Sequence, residues 1–265
     1  MHYTLISLLA ILSYLAAGFL LWRRLSGKTP AGKSLPLTLA LLGTAMHMLI
    51  LSENIFTPNG INFGFFHALS LLSGLIALLF LITAFSKPVE NLGIVILPLA
   101  ALAILLEHGI PTQHFLPANE KHLEIHILLS IVAYSLLSIA ALQAMLLSIQ
   151  DRHLHNKHPG GLIRALPPLQ TMETLLFQML TLGFVLQSLS LITGAIYIDN
   201  LLTQHLVHKT VLSILAWGVY ATLLWGRWRY GWRGKTAIRW TLGGFISLAF
   251  AYLGSKLVLE IILGY

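Results

Sequence analysis

Four histidines stand out in a chain that carries little charge: His47, His67, His126 and His208. Imidazole is the side chain best suited to ligate a metal or to move a proton near neutrality. An ionisable group inside a membrane-spanning stretch is costly enough to point to function by default. His47 lies about one helical turn before the end of an apolar run, and His67 about one turn after the start of the next. His126 and His208 open two later runs. If successive runs cross a membrane in alternating directions, all four fall at nearly one depth, in the outer leaflet. Taken singly, each is an ordinary hydrogen-bonded or interfacial histidine; together at one level they form a candidate ligand set. His47 and His67 are the sharper pair, because a short loop joins their runs and antiparallel neighbours would bring the imidazoles near one another.

The elements that must position these side chains follow from composition. Of 265 residues, 57% are hydrophobic and 9% charged, against roughly 25% charged in a soluble domain. Tyr3–Trp22 carries no charge, and about 20 such residues cross ~30 Å of hydrocarbon. The apolar runs predict an all-α polytopic membrane helix bundle of eight transmembrane helices, at 3–22, 35–51, 64–86, 92–106, 125–149, 170–198, 208–226 and 240–262. The short links predict one compact bundle. The first run has no basic residue ahead of it and Arg23-Arg24 directly behind it, which suits a retained span and not a cleaved leader.

The net charge of +7 is a topology signal and not a nucleic-acid signal. Thirteen of the sixteen basic residues fall in the loops after spans one, three, five and seven. Only Lys121, Lys209 and Lys256 lie on the other side. Lysine and arginine concentrate in cytoplasmic loops, so both termini are expected to be extracytoplasmic. Trp225, Trp228, Tyr230, Trp232 and Trp240 cluster at the inner ends of the last two spans, as an interfacial aromatic belt would.

Spans three, five and seven begin outside, so their N-terminal partial positive charge faces the outer leaflet. That field disfavours imidazolium at His67, His126 and His208 and leaves the neutral form that binds metal. It also attracts anionic groups, and Lys121, Lys209 and Lys256 add to it. Neutral imidazoles beside an anion-attracting rim suit a haem, with iron on histidine and propionates on the rim. The plain alternative for the lysines is snorkelling to the interface, with Lys256 neutralised by Glu260.

Other patterns carry less. His122/His126 and His205/His208 have helical ligand spacing, but no cysteine or fixed carboxylate completes a zinc set. Asp151–His158 is expected to be a solvated cytoplasmic loop. Gly183, Gly194, Gly243, Gly244 and Gly254 suit close helix packing. No nucleophile–base pair, phosphate loop or paired carboxylates occur within a span, so nothing points to a hydrolase or an ATPase. With no cysteine, disulfides and thiolate sites are excluded.

Three segments carry a family likeness. They are Leu123–Ser130 running into Ala133-Tyr134 and Ala140-Ala141; Leu191–Gly194 followed by His208–Trp217; and Gly231–Gly234 followed by Gly244-Phe245 and Ala251–Lys256. In this order they resemble the cytochrome c assembly family of haem-handling membrane proteins, of the CcsA and HemX type, and within it the small YpjD-like branch. The resemblance covers about residues 40–265, which sets a transmembrane domain of that type at 40–265 after an N-terminal span and cytoplasmic loop at 1–39. It implies haem b as cofactor, a place in the bacterial plasma membrane and other cytochrome c assembly proteins as partners. It makes His126 an outward-facing haem ligand, with His47, and less closely His67, as histidines of a second site within the spans. The tryptophan-rich outer loop of the family's synthases is absent, since Ile198–Val207 contains no tryptophan. No histidine lies at the end of the last span, and His208 is the candidate to replace it. The resemblance thus implies haem handling without synthase presentation. Two other readings stay open: a transporter of a divalent metal or small solute through the outer histidines, and an accessory subunit of another membrane complex.

Overall fold

In hydrocarbon no water satisfies a peptide group, so a long apolar run must close its hydrogen bonds within itself and become a helix. A computed structural model of the protein, described here for residues 2–27, 32–57, 60–110, 115–116, 121–155, 166–197 and 207–254, shows this eight times. The helices are α1 (His2–Leu25), α2 (Ser34–Ile55), α3 (Phe65–Ser86), α4 (Gly93–Gly109), α5 (Lys121–His155), α6 (Leu169–Tyr197), α7 (Val207–Tyr230) and α8 (Gly234–Ala249). A 3₁₀ turn, Glu90–Leu92, leads into α4, and a π-helical turn, Phe250–Gly254, follows α8. All eight stretches are long and apolar enough to cross a membrane. Large apolar side chains such as Leu12 (61% exposed) and Ile196 (65%) face outward, which is stable against lipid and not against water.

The chain forms two compact units. The first holds α1–α4. Helix α1 packs on both α2 and α4 through Ala10, Tyr14, Ala17 and Leu21, all fully buried. Short strands β1 (Phe56–Thr57), β2 (Gly60–Asn62) and β3 (Phe115–Leu116) pair antiparallel in that order beyond the ends of α2 and α4. At the opposite end, Lys33 bonds the Ala84 carbonyl at 3.1 Å and Glu90 at 3.3 Å, with Arg24 3.9 Å from Glu90.

The second unit holds α5–α8, with α5 packed along α6 and also on α8. A β-carbon on Gly183 would meet Leu137, and one on Gly244 would meet Tyr220, each at 2.8 Å. Those glycines serve close packing as expected, whereas Gly243 faces open space. Glu173 on α6 accepts from Arg227 at 2.8 Å and Arg233 at 3.1 Å. Nearby, Trp228 is 82% exposed and Trp232 packs on Trp240 at 5.5 Å, as interfacial anchors do.

Several helices run past the expected spans, and two of these extensions carry polar residues that matter. Helix α5 continues through Asp151–His155 with its polar side chains mostly exposed, so this stretch is a solvated helical end and not a loop; no proline or glycine stops it before Pro159. Helix α4 runs to Gly109, past the expected end at 106. Residues 156–158 and 198–206, and the chain from 255 onward with Lys256 and Glu260, lie outside the described residues, as do the side chains of Lys121 and His122.

Candidate functional site

The expected histidines fall into separate surroundings. His126 sits one turn into α5, half-buried against α6. Its Nδ1 lies 2.9 Å from the Ser190 carbonyl oxygen and 3.4 Å from Thr193 Oγ1. A carbonyl only accepts, so Nδ1 carries the proton and donates it there. The lone pair is thereby placed on Nε2. Ser130 Oγ approaches Nε2 at 3.5 Å, the limit of a hydrogen bond. The single Ser130 proton goes to the His126 carbonyl at 2.7 Å, and Ser190 Oγ bonds Ser130 Oγ at 2.6 Å. No proton is left for Nε2.

One nitrogen is held by a backbone acceptor and the other keeps its lone pair, a tautomer that metal-ligating histidines also adopt. The helices can approach this closely because residue 194 is glycine. A β-carbon there would stand 2.9 Å from His126 Cε1. The fixed tautomer, partial exposure and neutral surroundings fit haem iron.

His47 differs. It is fully buried on α2. Its Nδ1 lies 3.3 Å from Tyr14 OH and its Nε2 2.9 Å from Ser70 Oγ. Tyr14 also donates to Thr44 at 3.2 Å, and Thr44 donates to the Ala40 carbonyl at 2.9 Å. Both ring nitrogens are engaged by protein, and the Tyr14 ring meets the imidazole edge-on at 5.9 Å.

His67, the third residue of α3, donates from Nδ1 to Glu107 Oε1 at 2.8 Å. Asn54 Nδ2 donates to the same oxygen at 3.0 Å. Ser70 also lies on the Glu107 side, but Glu107 Oε2 accepts no hydrogen bond. His47 is thus bonded to Ser70 and His67 to Glu107, each on its own partner. The Glu107 carboxylate, 2% exposed, was missed in the sequence because span four was expected to stop one residue earlier. The available signal was an acidic residue directly after an apolar run, with no break before Gly109.

His208 is exposed at the head of α7, and Lys209 beside it is half-buried. Among the described residues, no three His, Cys, Asp or Glu side chains converge as a metal site would require.

Comparison with known proteins agrees with the helical pattern. The cytochrome C assembly protein family matches residues 35–263. The inner membrane protein YpjD of Escherichia coli K12 is 33% identical over 97% of this chain and 98% of its own length. Protein HemX of Brevibacillus brevis is 26% identical over 49% of this chain and 48% of its own. The cytochrome c biogenesis protein CcsA of Gloeobacter violaceus is 28% identical over 32% of this chain and 26% of its own. No solved structure matches.

Proposed function

The chain belongs to the cytochrome c assembly protein family and is a multi-pass inner-membrane protein, and from that premise we propose that it binds haem b through Nε2 of His126 and handles it in cytochrome c assembly. The observation that carries this is the hydrogen bond from His126 Nδ1 to the Ser190 carbonyl, which fixes the ligand-ready tautomer. With no cysteine, the chain cannot hold haem by thioether bonds, so ligation and packing must suffice.

Bound haem would supply an iron centre and an amphipathic ring. The protein's own part is to orient and exclude. The Ser190 carbonyl and Thr193 hold the imidazole plane, Ser130 is turned away from Nε2 by its bond to the His126 carbonyl, and Gly194 leaves room for the ring. His208 and Lys209 are the candidates for a second ligand and for a propionate partner. Lys256 is proposed for the same rim on sequence grounds. His47, bonded at both nitrogens, is assigned a structural role in this reading; His67 keeps Nε2 as a possible donor atom, oriented by Glu107. Other cytochrome c assembly proteins are the proposed partners.

Transport of a divalent metal is less well supported, because no described cluster offers three ligands.

The test is the Soret band of the purified protein, compared with His126→Ala and with His153→Ser/His155→Ser, whose side chains are exposed at the end of α5. Losing the iron ligand that His126 would supply should lower haem per protein about tenfold or more at unchanged yield, while the double serine variant keeps the wild-type spectrum. Unchanged spectra in His126→Ala, or a wild type without haem under haem-replete expression, would sink the proposal.

A further inference from the structure

The first unit contains a feature that the haem reading does not use. A cavity of about 190 Å³ is lined by Ser7, Ile50, Asn54, Ile104, Glu107 and His108. Five of these come from the final turns of α2 and α4, and Ser7 comes from the beginning of α1. The cavity therefore lies at one end of the four spans, opposite the Lys33–Glu90 contact. That places it at headgroup depth.

Its polar lining offers acceptor oxygens at Glu107, Asn54 and Ser7, with His108 as the fourth polar side chain. Glu107 is 6% exposed, and its Oε1 is already bonded to His67 and Asn54. Its Oε2 has no partner. A buried carboxylate oxygen left without a donor is costly. The terminal torsion of glutamate is soft, so a donor seated in the cavity can draw that oxygen to itself. Asn54 gives its N–H to Glu107, which leaves Oδ1 as an acceptor. Ser7 adds a hydroxyl oxygen. The helix ends that supply Asn54 and Glu107 carry partial negative charge. Ile50 and Ile104 form the apolar wall.

Three oxygen acceptors, one of them a carboxylate, match the three donors of an ammonium group. A haem propionate would meet like charge here. A divalent metal would find too few ligands, since no cluster of three His, Cys, Asp or Glu occurs among the described residues. The isoleucine wall suits a short carbon chain.

We propose that this cavity is a binding site for a primary ammonium group, held by Glu107, Asn54 and Ser7 with its carbon chain on Ile50 and Ile104. At headgroup depth the group has two sources, a free small amine or the headgroup of phosphatidylethanolamine.

The experiment uses the delipidated full-length protein in detergent, titrated calorimetrically with ethylammonium and, as a control without N–H donors, tetramethylammonium. A second arm asks by native mass spectrometry whether phosphatidylethanolamine is retained over phosphatidylcholine from mixed micelles. Saturable ethylammonium binding that is lost in Glu107→Gln supports the site with a free amine as ligand. Selective retention of phosphatidylethanolamine, lost in the same variant, supports the site with the lipid as ligand. Should Glu107→Gln fail to fold, Ser7→Ala removes one acceptor without touching the His67–Glu107 bond and should weaken binding about tenfold, the cost of roughly one hydrogen bond to a charged group. The proposal is overturned if neither probe binds, if tetramethylammonium or phosphatidylcholine binds equally, or if the folded variants bind as the wild type does. Haem content in Ser7→Ala reads His126 separately, so failure of one proposal does not imply failure of the other.

Discussion

Gly194 on α6 lies so close to His126 on α5 that a β-carbon there would fall 2.9 Å from the imidazole Cε1 and 3.2 Å from Nδ1. The imidazole ring, held by its bond to the Ser190 carbonyl, must shift if residue 194 gains a side chain. Gly194→Ala is expected to cost about 1–3 kcal/mol as overpacking and also to move the ligand nitrogen. Gly183→Ala is the matched control. It overpacks the same helix pair against Leu137 at 2.8 Å but leaves His126 alone. Both variants should melt earlier by comparable amounts, and only Gly194→Ala should lose or shift the Soret band. Equal haem spectra in the two folded variants would remove His126 from the site.

The His47 cluster predicts a different phenotype. His47→Ala deletes a fully buried ring and removes one hydrogen-bond partner each from Tyr14 and Ser70. Interhelical hydrogen bonds in membranes average only ~0.6 kcal/mol, so the cavity left behind dominates, and the total loss should be about 2–4 kcal/mol. Gly74, whose β-carbon would meet Met48 at 2.7 Å, keeps α3 close and limits collapse into the void. Denaturation of the purified variant should show the loss, with haem per folded protein unchanged. Haem loss at wild-type stability would instead make His47 a ligand.

Eight spans were legible because hydrocarbon imposes one rule on every run, namely internal hydrogen bonding over a fixed thickness. The spans' ends were less legible, since helices extend past the apolar run wherever nothing stops them. Asp151–His155 and Glu107–Gly109 are both such extensions, and the second concealed the carboxylate partner of His67. His126 was readable as a candidate from its position and its family likeness. Its tautomer was not, because that depends on a backbone carbonyl 64 residues away. The engagement of both His47 nitrogens was likewise unreadable, since Tyr14 comes from a span with no ionisable side chain near it to mark a partner. Sequence shows where an ionisable group is costly; only packing shows what has already compensated it.

At the charged end of the second unit, two arginines share Glu173 but are not equivalent. Arg227 is bonded to Glu173 at 2.8 Å and to the Trp232 carbonyl at 3.2 Å, and lies 4.5 Å from the Phe177 ring centroid. Arg233 has one bond at 3.1 Å and a side chain 59% exposed. Exposed ion pairs contribute little, so Arg233→Ala should stay within about 0.5 kcal/mol of wild type. Arg227→Ala removes three contacts and should cost about 1–3 kcal/mol. Thermal melting of the two variants side by side checks the order, and the reverse order would mean that the Arg227 contacts do not persist in the membrane.

Orientation in the membrane is the remaining expectation, with both termini extracytoplasmic. In the first unit, Arg24 and Lys33 gather around Glu90 at the end of the spans opposite His67 and Glu107. In the second, Arg152, Arg227 and Arg233 lie at the end of α5, the end of α7 and the start of α8. Each unit thus has one basic end, and the positive-inside bias would turn that end to the cytoplasm. Eight crossings then return the chain to the outer face. A reporter fused after residue 265 should be active only if it is an enzyme that folds outside the cytoplasm, and one fused after His155 only if it works inside. The 155 fusion is the internal control, because it divides the chain after five spans. Cytoplasmic activity at 265 together with extracytoplasmic activity at 155 would invert the protein and place His126 on the inner leaflet. Cytoplasmic activity at both positions would mean an even number of crossings between them instead of the three helices α6, α7 and α8.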